Sequence, residues 1–141
     1  MSAGKHQSNT MLIHCGDDRY TIPGHDFEQG LLAIIRKEDA ALRFSPGGGF
    51  GASLEFALPE TKTAWVYRLK LAPKLGIEEV IVIDHLDCGA FEIAYGEMTP
   101  EEEEAKHLET IAEAKKIVED AGLKFTAYLQ NRKDFKKVFP S

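Results

Sequence analysis

Cysteine is scarce in this sequence: among 141 residues there are two, Cys15 and Cys88. That argues against the disulfide framework of a small secreted domain. In a reducing compartment it leaves buried thiols or metal ligands as the roles to weigh. Long apolar runs are also missing, and nothing approaches the ~20 residues of a membrane-spanning helix. The opening residues, MSAGKHQSNT, lack the apolar centre of a secretion signal. Residues 1–10 are therefore expected to form a flexible polar leader before a single domain over 11–141, in a cytoplasmic protein. Clustered positive charge is absent too. With 17 basic and 23 acidic residues the net charge is −6, which argues against a general nucleic-acid or anionic-membrane binder. No internal repeat, linker or low-complexity segment interrupts the chain except the run Glu101–Glu104, whose composition suggests a solvated first helical turn.

What remains is an ordinary globular composition, 43% hydrophobic and 28% charged, long enough for a real core. Met11–His14 fits a short buried strand. HDFEQGLLAIIRKEDA carries Phe27, Leu31, Ile34 and Ile35 at helical spacing. AALRFS predicts a second strand, closed by the glycine-rich loop PGGGFG. Pro59 offers a helix start, Trp65, Leu69 and Ala72 share one face of that helix, and Gly76 is its stop. EEVIVID, β-branched and uninterrupted, predicts a strand buried on both faces of a parallel sheet. A helix is expected near Cys88–Gly89, and a long one from Pro100 to about Ala121, with proline in the first turn and glutamates facing the positive end of the dipole. Gly122 ends it, LKFTAYLQ is the last predicted strand, and RKDFKKVF a final short helix. The order β-α-β-α-β-α-β predicts a mainly parallel four-stranded sheet with helices on both faces.

Such sheets bind ligands beyond the carboxyl ends of their strands, where strand order reverses. Residues 14–19, HCGDDR, follow the first strand directly. IDHLDCGAF follows the third. Chain direction alone brings Cys15, His85 and Cys88 to one edge of the sheet. Two sulfurs and one imidazole nitrogen form a donor set that suits zinc. The fourth position takes either water, leaving the site open, or Asp17, closing it.

The paired motifs C-x-D-x-R, here Cys15-Gly16-Asp17-Asp18-Arg19, and H-x-x-C-G, here His85-Leu86-Asp87-Cys88-Gly89, resemble those of the β-class carbonic anhydrases. The resemblance implies a Zn2+ cofactor held by Cys15, His85 and Cys88, with Asp17 and Arg19 as a dyad beside the metal. It implies a zinc-bound hydroxide that attacks CO2 to give bicarbonate. Asp17 would orient that hydroxide and Arg19 would hold Asp17 off the metal by a charge-assisted pair. It further implies a homodimer or higher homo-oligomer in which partner residues line the substrate cavity; Phe50, Phe56 and Tyr95 are candidates for such lining or for the core. Two departures stand out. Asp18 occupies a position where the family commonly has serine, and Arg43-Phe44-Ser45-Pro46-Gly47 stands where it often reads Arg-Asn-Ala-Gly-Asn. These put the substrate in more doubt than the metal, since relatives with the same zinc set hydrolyse carbonyl sulfide or carbon disulfide.

Other readings of the same residues stay open. Cys15, Asp17, His85 and Cys88 could form a closed, non-catalytic zinc shell. A phospho-receiver domain would use Asp17, Asp18 and Asp84, but the Lys-Pro turn it needs is missing. C-x-x-x-R is too short for a phosphate-cradling cysteine loop. GGGFGA fits a dinucleotide-binding pattern, yet no strand-end acid follows about 20 residues later. Strand alternation sends His14 to the opposite face from Cys15, as a packing residue. His6, His25 and His107 receive no role.

Overall fold

A computed structural model describes residues 9–15, 41–45, 59–130 and 135–140, with backbone alone at 15, 41–45, 59, 61, 90 and 135. Its described elements are β1 (Thr10–Cys15), β2 (Ala41–Ser45), α1 (Pro59–Leu71), a 3-10 turn (Ala72–Leu75) and β3 (Glu79–His85). Then come α2 (Gly89–Tyr95), α3 (Pro100–Asp120), β4 (Lys124–Gln130) and β5 (Phe135–Phe139). The strands form one sheet in the order β2-β1-β3-β4-β5. The first four are mutually parallel, as expected, and β5 is antiparallel to β4. The expected helix over 25–40 and the glycine loop over 46–51 lie outside the described residues.

The main core follows from strand alternation. Met11 and Ile13, Val80 and Val82, and Phe125 and Ala127 share one face, against which Trp65 and Leu69 of α1 and Ile111, Ala114 and Val118 of α3 pack. The expected stripe Trp65, Leu69, Ala72 is buried along its whole length. Gly76 stops this segment at φ 93, its N–H donating to the carbonyls of Ala72 and Pro73, a left-handed cap that favours glycine. The opposite face is buried as well, at Leu12, Ile81 and Ile83. The sheet is thus covered on both sides, as its uninterrupted apolar strands require.

α3 starts at a capping box: the Thr99 side chain accepts from the Glu102 N–H at 3.1 Å, and Glu102 accepts from the Thr99 N–H. Pro100 occupies the first turn, where its missing N–H is no loss.

The segment expected as a closing helix is instead strand β5. A register shift opposite Ala127 and Tyr128 pairs Phe139 with Ala127 but Lys137 with Tyr128, which leaves Val138 unpaired in a β-bulge. The bulge brings Val138 and Phe139 both against the core. Phe135, Val138 and Phe139 therefore stand at i, i+3 and i+4, which imitates helical periodicity. Among the described residues no helix is long and apolar enough to cross a membrane.

Candidate metal-binding loop and its buried charge network

Strand order reverses between β1 and β3, with β2 on one side and β4 on the other. His14 of β1 pairs with Ile83 of β3. Cys15 and His85, the last residues of the two strands, therefore stand at the carboxyl ends of neighbours, flanking the switch point where ligands bind in sheets of this type.

His85 is buried, and its Nδ1 lies 2.9 Å from the Leu86 carbonyl. A carbonyl only accepts, so Nδ1 carries the proton and Nε2 the lone pair. The Leu86 N–H extends the β3–β4 ladder by donating to the Gln130 carbonyl at 2.8 Å. Asp87 then adopts φ 58, a left-handed conformation that costs a side-chain-bearing residue about 1 kcal/mol, with aspartate among the more tolerant. Cys88, buried, returns to extended backbone and caps α2.

Two amides of this loop are gathered by one carboxylate. Glu103 of α3 accepts from the Asp87 N–H through Oε1 at 2.9 Å and from the Cys88 N–H through Oε2 at 3.1 Å. The Nε2 of His107, one turn along α3, lies 3.0 Å from Glu103 Oε2, and its Nδ1 lies 2.8 Å from Asp84 Oδ2. With carboxylates at both ring nitrogens, a doubly protonated imidazolium satisfies the two contacts together. Burial alone would lower the His107 pKa. The hydrogen bonds to Asp84 and Glu103 and their negative charges outweigh it and push the group up to about 9. Burial likewise works to raise the pKa of Glu103, but the His107 bond and the two loop amides hold it below the ordinary glutamate value. Phe91 of α2 stacks on the His107 ring at 3.9 Å between centroids, a favourable seat for a cation.

The sequence had assigned His107 no role and treated Glu101–Glu104 as solvated. Glu101 and Glu102 are exposed, but the Glu103 side chain is only 13% exposed and His107 not at all. The i, i+4 spacing of Glu103 and His107 was the available signal. Asp84 supplies the third charge from 23 residues upstream of His107.

Asp17, Asp18, Arg19, Phe50 and Phe56 lie outside the described residues, as do His6 and His25. Tyr95 is half-buried and packs against the small cluster of Cys88 and Phe91. His14 is buried within the sheet. Among the described residues no group of three or more His, Cys, Asp or Glu has an arrangement that could hold a metal ion. A zinc shell would need the Cys15 side chain in addition to His85 and Cys88. A cavity of about 520 Å3 beside Cys88 carries five acidic residues, Asp87, Glu92, Glu97, Glu102 and Glu103, on its wall.

The chain has a carbonic anhydrase-like α/β fold. It is similar to the crystal structure of a carbonic anhydrase from Streptococcus mutans, with a TM-score of 0.55 over 95% of this chain and 83% of the other. Identity is 16%, so the likeness is one of fold. No protein-family model and no curated protein matches the sequence.

Proposed function

We propose that the protein is a zinc-dependent carbonic anhydrase that interconverts CO2 and bicarbonate, with Cys15, His85 and Cys88 as metal ligands. The observation that carries this reading is the state of His85. Its Nδ1–H is committed to the Leu86 carbonyl, which leaves Nε2 as a donor at the strand end next to that of Cys15. The donor chemistry fits: two thiolates and one neutral imidazole are ligands zinc favours. Zinc bound by these donors supplies Lewis acidity, lowering the pKa of water so that hydroxide is available to the carbon of CO2.

The chain's own residues do the rest. Asp17 would accept a hydrogen bond from the attacking oxygen and keep its lone pair directed at the substrate, and Arg19 would pair with Asp17 and limit its reach toward the metal. The Leu86 carbonyl fixes the ring orientation and basicity of His85. The same reading takes the protein as a cytoplasmic homo-oligomer with the domain over 11–141.

Stopped-flow CO2 hydration on zinc-loaded protein tests it, with carbonyl sulfide and carbon disulfide run in parallel and metal content measured on the same sample. CO2 turnover with one zinc per chain is expected. Turnover of a sulfur substrate alone reassigns the substrate. Bound zinc with no turnover of any of the three assigns a closed shell with Asp17 as fourth ligand.

A further inference from the structure

We propose that Glu103 and His107 are positioning residues that hold the loop from His85 to Cys88 in its ligating conformation before any metal arrives. The inference rests on the zinc reading for what the loop binds, but its geometric core stands without it. The network closes a ring around the segment. Asp84, immediately before His85, holds His107; His107 holds Glu103; and Glu103 holds the amides of Asp87 and Cys88. Both anchor points thus fall at the ends of the segment that carries the two proposed ligands.

Three features favour a positioning role over mere fastening of α3 to the sheet. First, the two Glu103 oxygens are spent on consecutive amides of the loop, those of the peptide planes on either side of the Asp87 Cα. Asp87 is the one described residue other than glycine with positive φ. A left-handed aspartate between two ligands persists only when its surroundings over-determine it. Second, Glu103 meets the loop through backbone N–H groups, so it sets the course of the chain without engaging the side chains of His85 and Cys88. Third, a buried ion pair is by itself a poor source of stability. A structural fastener would serve as well with apolar residues, whereas orienting two N–H groups requires an acceptor.

Amide hydrogen exchange on metal-free wild-type protein tests the claim without any variant. The Asp87 and Cys88 amides are expected to be protected like those of β3. Exchange at free-peptide rates in the folded apo protein would overturn the proposal. Zinc competition against a chelator then tests the consequence. Glu103→Gln keeps the volume but offers one acceptor for two amides, and Glu103→Ala offers none. Each should weaken zinc binding by roughly 10- to 100-fold, the usual effect of losing an outer-shell partner, and expose the two amides to exchange. The exposed Glu101→Ala should change neither. Folded Glu103→Gln protein with wild-type affinity and wild-type protection would sink the idea. If wild-type protein binds no zinc, the functional reading fails, while exchange at residues 87 and 88 still decides the positioning role.

Discussion

Asp84 Oδ2 lies 2.8 Å from His107 Nδ1, and neither side chain has any exposed surface. A carboxylate at the end of a central strand is thereby joined to a helical imidazole that the second carboxylate, Glu103, meets on its other nitrogen. Removing one member of such a group leaves an uncompensated charge in a low-dielectric interior, which is strongly destabilising.

The pH dependence of stability follows from His107. Its pKa rises from 6.5 to about 9 on folding. The stabilising contribution is therefore fully present below the unfolded pKa and is lost as pH rises through the folded one. The linkage is on the order of 3 kcal/mol between those limits. Denaturant unfolding of metal-free protein from pH 6 to 10 should show stability falling over this window. His107→Gln, less stable throughout, should show a much flatter curve there. A wild-type curve that stays level to pH 10 would mean the imidazolium is not formed.

How legible this arrangement was depends on the distance over which its parts act. Trp65, Leu69 and Ala72 follow a local pattern, as does the strand expected over 78–84 and observed at Glu79–His85. Because the first four strands are parallel, chain direction makes the carboxyl edge deducible, so Cys15 and His85 could be put on that edge from sequence. The Asp84–His107 contact could not, because it depends on the rotation of α3 over the sheet. Periodicity did contain a hint: Glu103 and His107 continue the buried stripe of Thr110, Ile111, Ala114 and Val118. Composition concealed it, since four consecutive glutamates resemble a solvated turn. β5 was misread for a related reason, its bulge at Val138 replacing the period of two with helix-like spacing.

The two ends of the scaffold should respond to mutation by different amounts. Leu69 is fully buried against the sheet, so Leu69→Ala leaves a cavity and should cost about 2–5 kcal/mol in equilibrium unfolding. Thr99 acts through one capping bond at an exposed helix start, and Thr99→Ala should cost about 1 kcal/mol. Equal losses would contradict the assignment of the core to the α1–sheet contact.

Charge counting within the proposed zinc shell predicts an alkaline rate profile. Two thiolates offset the 2+ of the ion, whereas three neutral histidines leave it intact, so water in the two-cysteine shell is acidified less. Its pKa should lie above the ~7 typical of a three-histidine site. CO2 hydration measured from pH 6 to 9 should rise toward the alkaline end. A flat profile would argue that a different group limits the rate.

In the proposed site Asp17 and Arg19 would divide an open shell from a closed one, and the division can be read from the oxygen donors around the ion. If Asp17 stands off the metal, held by Arg19, then Asp17→Ala should leave the number of oxygen ligands unchanged in zinc-edge absorption spectra and lower CO2 turnover by loss of orientation. If Asp17 is itself the fourth ligand, the same substitution should replace a carboxylate by water and raise turnover from a low base. Arg19→Ala discriminates further. An open site should lose activity as the unrestrained carboxylate swings onto zinc, with an added carboxylate contribution in the spectrum, whereas a closed site should show no change in coordination. His85→Ala and Cys88→Ser serve as the reference, since either should abolish stoichiometric zinc binding. Retention of one zinc per chain in both would remove the loop after β3 from the metal site altogether.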